Sequence, residues 1–184
     1  MNDAHIRQWP EGAIIRSFRG RWPIIAANAF VAQGAVVIGN VEIGEEANIW
    51  YGCVIRGDVH EIRIGPRTNL QDGTVVHVTH NKFGTYIGAD VTVGHMALIH
   101  ACTLEDRAFV GMKACVMDGV VVESEAMVAA GAVVTPGKRI RAGEIWAGSP
   151  AKLMRTLGPE EKANFLDTAR RYVALSQEHL REGK

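Results

Sequence analysis

Four of the seven histidines, His77, His80, His95 and His100, fall within a stretch of 24 residues. Neutral imidazole is well suited to hold a divalent transition ion, and near pH 7 it can also pass a proton. One such residue on a surface is ordinarily just solvated. Three imidazoles that leave a fourth position open, however, make a catalytic zinc site rather than a structural one. Such a donor set also suits Co and Fe(II) as alternatives to Zn. Whether the rings can reach one point depends on the backbone that carries them.

Before residue 146 the chain has 19 Val and 15 Ile but only three Leu, a bias toward β-branched side chains that favours strands. Aliphatic residues recur every sixth position: Ile25, Val31, Val37, Ile43, Ile49, Ile55; then Ile64, Leu70, Val76; then Ile87, Val93, Ile99; then Leu104, Val110, Val116, Val122, Val128, Val134, Ile140. The fourth residue after each is usually small, as at Ala47, Cys53, Thr74, Ala97 and Ala114. A period of six excludes a helix and is too short for a sandwich, but it fits a solenoid with one strand and one corner per hexapeptide. The pattern resembles the left-handed parallel β-helix of hexapeptide-repeat proteins, and that resemblance supplies the handedness. The fold expected is mainly β, with about six coils over residues 24–146. Residues 1–23 form an N-terminal segment, 147–158 a connecting turn, and 159–182 one amphipathic helix opened by Pro159, Glu160 and Glu161, all in a single domain. The register slips by three extra residues near His60 to Ile62, by about five between His77 and Ile87, and by one lost between Ile99 and Leu104. Insertions of this kind are expected to leave the coil as loops.

This repeat decides which histidines can meet. His77 directly follows Val76, and His100 directly follows Ile99, so the two occupy one position on successive coils and should stack about 4.8 Å apart. His95 follows Val93 by two residues, in the preceding hexapeptide, and therefore lies on another face. If all three bind one metal, His95 must come from a neighbouring subunit, and a triangular solenoid packs naturally as a homotrimer.

The run Arg56-Gly57-Asp58, Asn69-Leu70-Gln71-Asp72-Gly73-Thr74-Val75-Val76-His77 and Gly94-His95-Met96-Ala97-Leu98-Ile99-His100 resembles the γ-class carbonic anhydrase family. That resemblance implies His77 and His100 as ligands from one subunit and His95 from the next. It implies Arg56 and Asp58 as a pair organising the subunit interface, Gln71 as the hydrogen-bond partner of the metal-bound water, and Asp72 as a support for the site. It implies reversible hydration of carbon dioxide to bicarbonate, a lyase activity. Three residues after the first ligand, where active relatives carry a glutamate proton relay, this chain has His80, which is either a substitute relay or a solvated loop residue. No second shuttle acid is obvious between Asp58 and Ile64, although His60 and Glu61 sit there.

Twenty basic residues against 20 acidic ones give no excess positive charge for a nucleic acid or an anionic membrane. The N-terminus lacks an apolar leader and no stretch is long enough to span a bilayer, so the expected compartment is the cytoplasm. Cys53, Cys102 and Cys115 have no metal-binding spacing and read as small core residues. Two other functions compete with hydration. The turn Ala147-Gly148-Ser149-Pro150-Ala151-Lys152 resembles one bordering the cleft of CoA-dependent acyltransferases or thioesterases of the hexapeptide class. A catalytically weak assembly subunit is the other.

Overall fold

A computed structural model describes residues 12–182. It is a parallel β-solenoid of about seven turns with one C-terminal helix. The pairing register explains why the period is six. Ile15, Val37, Ile55, Val76, Ile99, Val116 and Val134 stack in one inward column on the first face. Ile25, Ile43, Ile64, Ile87, Leu104, Val122 and Ile140 stack on the second face. Val31, Ile49, Leu70, Val93, Val110, Val128 and Trp146 stack on the third. Nearly all of these are fully buried. The narrow interior is thus filled by one branched side chain per strand, and neighbouring coils supply the packing that no coil has alone.

The sequence reading needs three corrections. The solenoid has seven rungs rather than six, because Ile14–Arg16 already pairs in parallel with Val36–Ile38. That rung lies inside the expected N-terminal segment, and residues 1–11 of the segment lie outside the described residues. The first insertion does not leave the coil as a loop. Val54–Ile64 is one continuous strand, in which the span Gly57 to Ile62 lies opposite the span Gly39 to Val41, so residues 58–61 form a bulge and Ile62 returns to the core. The segment expected as a connecting turn is half of a hairpin: Glu144–Gly148 pairs antiparallel with Ala151–Thr156 and extends the third face where the hexapeptides stop.

The outward sides of the faces differ in character. The helix Pro159–Glu182 covers the third face, stacking Phe165 on Phe109 near the last coils and setting Tyr172 edge-on to Trp50 near the first. Its start is fixed by Pro159 at the first helical position and by Glu161, which accepts the Gly158 N–H at 2.9 Å and a two-pronged pair from Arg155. The outward column of the second face is Ile24, Glu42, Arg63, Tyr86, Thr103, Val121 and Arg139, largely polar and laced with ion pairs, with Ile24 exposed at its first rung. The first face shows Ile14, Val36, Val54, Val75, Leu98, Cys115 and Val133, an unbroken apolar column over which no other described element packs. Val75 and Leu98 there are 38% and 37% exposed. Cys53 and Cys102 are buried and their thiols pushed up by burial, Cys53 to about 12, so neither is a thiolate near neutral pH. Among the described residues, no helix is long and apolar enough to cross a membrane.

Candidate metal centre

Strands Val75–His77 and Leu98–His100 end together at the corner between the first and second faces, with His77 opposite His100. The two rings converge: Nδ1 of His77 lies 3.3 Å from Nε2 of His100. Each ring spends its other nitrogen on a carboxylate, His77 Nε2 on Asp58 at 3.0 Å and His100 Nδ1 on Asp118 at 3.0 Å. Burial alone would raise the Asp58 carboxyl, but hydrogen bonds from His77 and Arg56 outweigh it and hold the pKa below the ordinary value. The same balance, with Thr79 and His100 as donors, keeps Asp118 low. Both carboxylates are therefore ionised and can only accept, which places a proton on His77 Nε2 and another on His100 Nδ1. Burial, with help from Arg56 and His100, lowers the His77 pKa although Asp58 opposes it, so that ring is neutral near pH 7.

The two remaining nitrogens, His77 Nδ1 and His100 Nε2, face each other. Two donors about 2.0–2.1 Å from a tetrahedral zinc ion stand about 3.3–3.4 Å apart, which is the spacing found. A cation shared between the rings suits that spacing, so the donor set fits a transition ion. Carboxylate partners on the far nitrogens are the usual means of orienting imidazole ligands.

His95 sits at the opposite edge of the first face, on the corner shared with the third, and the chain does not bring it to the pair. Its Nδ1 lies 2.8 Å from Oδ2 of Asp72, one coil earlier. Gln71 belongs to this corner too: it is 4% exposed and its amide nitrogen donates to Asn69 at 3.1 Å. Arg56 and Asp58 stand instead with His77, joined to each other by an ion pair. Among the described residues no third His, Cys, Asp or Glu joins His77 and His100 to complete a metal site within one chain.

The second insertion, between His77 and Thr85, is closed by bridge pairing of Thr79 with Phe83. His80 is exposed at its tip, with Nε2 2.8 Å from the Asn81 amide. Glu61, in the bulge, turns to the second face and is engaged by Tyr86 and Arg63, each at 2.9 Å, while His60 Nδ1 accepts the Glu61 N–H. Two site residues escaped the sequence reading, Asp118 and Thr79. Asp118 had a partial signal: Ile99 pairs with Val116, so Asp118 follows that strand as Ala101 follows Ile99, at the same corner one coil beyond His100. Thr79 had none, because its place depends on how an insertion closes.

A family model described as bacterial transferase hexapeptide (six repeats) matches residues 23–57. Over 165 residues the chain is 52% identical to gamma carbonic anhydrase 2, mitochondrial, of Arabidopsis thaliana, covering 87% of this chain and 59% of that protein. The chain thus spans about three fifths of that relative's length. It is 40% identical over 154 residues to a probable carbonic anhydrase of Methanocaldococcus jannaschii, covering 84% of this chain and 96% of that one. A crystal structure of a hexapeptide transferase family protein from Anaplasma phagocytophilum matches with a TM-score of 0.87 at 46% identity, covering 90% of this chain and 97% of the other.

Proposed function

The chain belongs to the γ-class carbonic anhydrase family, and on that premise we propose that it is a zinc-type metalloenzyme hydrating carbon dioxide reversibly to bicarbonate at a site shared between subunits of a homotrimer. The observation that carries this reading is the convergence of His77 and His100 at one edge of a bare apolar face whose other edge holds His95. Packing that face against a second copy buries Val75 and Leu98 and brings the His95 corner of one subunit to the His77–His100 corner of the next.

His77, His95 and His100 would together hold a divalent ion, which would supply the Lewis acidity that brings the ionisation of water down to about pH 7. Iron or cobalt would serve the same donors. The chain's own groups do the rest. Asp58, Asp72 and Asp118 fix the ring orientations and tautomers. Gln71, delivered with His95, positions the attacking water by hydrogen bonding. Arg56 keeps Asp58 in place and faces the neighbouring subunit. His80, exposed on the loop that follows His77, takes the released proton to solvent. The expected cytoplasmic setting stands as part of the same proposal.

Acyl transfer from coenzyme A in this class uses an isolated histidine base, whereas His77 and His100 are paired between coils with ring nitrogens 3.3 Å apart. A weak assembly subunit would have no use for three histidine–carboxylate pairs. Metal analysis of freshly purified protein together with stopped-flow hydration tests the reading. About one metal per subunit is expected, with activity rising through an apparent pKa of about 7. A metal-replete sample with no hydration activity between about pH 6 and 9 would contradict it.

A further inference from the structure

Asp58, the carboxylate beside His77, is braced by the Arg56 guanidinium. Asp118, beside His100, is braced by an uncharged group from a different element. Thr79 Oγ1 donates to Asp118 Oδ1, which leaves Oδ2 for His100 Nδ1 at 3.0 Å. Thr79 is itself fixed, since its N–H donates to the Phe83 carbonyl at 3.0 Å. At the other end of the same segment, the buried Thr85 hydroxyl donates to the His77 carbonyl at 2.6 Å and accepts the Ala101 N–H at 3.0 Å. The insertion is therefore stitched at one end to Asp118 and at the other to His77 and Ala101.

We propose that Asp118 and Thr79 are a positioning pair that holds the His100 ring with Nε2 toward His77 and ties the segment 78–84 to the metal centre. The side chains of His100 and Asp118 are 30% and 32% exposed, so packing alone does not immobilise either. With one carboxylate oxygen held by Thr79 and the other by His100, Asp118 cannot swing to solvent, and His100 keeps its proton on Nδ1 and its lone pair on Nε2. The inference rests on the metal-site reading above.

Its test is zinc affinity, measured by competition with a chromophoric chelator on the assembled protein, for the wild type and for Asp118→Ala, Thr79→Val and Thr79→Ser. Melting and light scattering confirm that each variant is folded and associated as the wild type is. Asp118→Ala and Thr79→Val should bind zinc about 10- to 100-fold more weakly, and Thr79→Ser, which keeps the hydroxyl, should bind within about twofold of wild type. If Asp118→Ala fails to fold, the contrast between Thr79→Val and Thr79→Ser decides alone. Unchanged affinity in Thr79→Val, or equal loss in Thr79→Val and Thr79→Ser, overturns the positioning role while leaving the metal site standing. A wild type that binds no zinc overturns the metal reading itself, and the inference with it.

Discussion

At the scale of single residues, the chemistry rests on which nitrogen of each imidazole is occupied. His77 and His100 present lone pairs to one point because Asp58 and Asp118 hold the protons on their far nitrogens. The stacked pair was legible in the sequence, since both histidines directly follow an inward aliphatic residue, and the separate position of His95 was legible for the same reason. Their carboxylates were less so. Asp72 came from family resemblance, and Asp118 shows itself only once the shortened coil pairing Ile99 with Val116 puts it at the corner next to His100. His80 is the residue whose role is most open to a direct kinetic check. Exposed on its loop and unattached to the pair, it should affect proton release and not the attack on carbon dioxide. His80→Ala should then lower kcat at least about tenfold in weak buffer, with kcat/KM little changed, and added imidazole should restore it in part. A variant with unchanged kcat would remove it from the path.

At the scale of elements, a six-residue period is readable because each strand buries one side chain, so strand positions from Ile25 to Ile140 could be assigned without a template. Interruptions are harder to read. The extra residues after Gly57 carry no turn signal, and they bulge from a continuous strand because Ile62 must regain the core opposite Val41. Ile15 was missed because ten residues separate it from Ile25, a spacing the repeat does not use. The last hexapeptide leaves a bare sheet edge, which the antiparallel return of Ala151–Thr156 covers, and sequence periodicity does not announce such a reversal. The helix start yields an element-scale prediction. Hydrogen bonds from Arg155 and from the Gly158 N–H lower the Glu161 carboxyl to about 2. A carboxylate depressed on folding stabilises fully above its unfolded pKa of about 4.3, and that share is lost as pH falls through 2. Because the pair is solvent-exposed, the effect is small and salt-sensitive. In low salt, Glu161→Gln should lower the melting temperature at pH 7 and converge with wild type near pH 2. A difference that persists undiminished at that pH would assign the effect to something other than the charge.

At the scale of the molecule, three faces with three surfaces make the assembly argument. The helix seals one face, ion pairs solvate another, and the third offers a continuous apolar column bounded at its two edges by the two halves of the candidate centre. Sequence reasoning reached a shared site from the positions of the histidines in the repeat, but did not use the outward residue before each inward one on the first face, which is apolar once per coil and marks the face between them. The central claim is that one subunit supplies His77 and His100 and the next supplies His95. Subunit mixing tests it most directly. His95→Ala and His100→Ala should each be inactive alone. Dissociated, combined in equal amounts and reassembled at random, they should recover about a quarter of wild-type activity, because about one ordered junction in four joins an intact pair to an intact His95. His77→Ala mixed with His100→Ala should recover none, since every subunit then lacks one member of the pair. A first mixture that stays inactive after confirmed exchange, or a second that revives, would contradict the division of ligands between subunits.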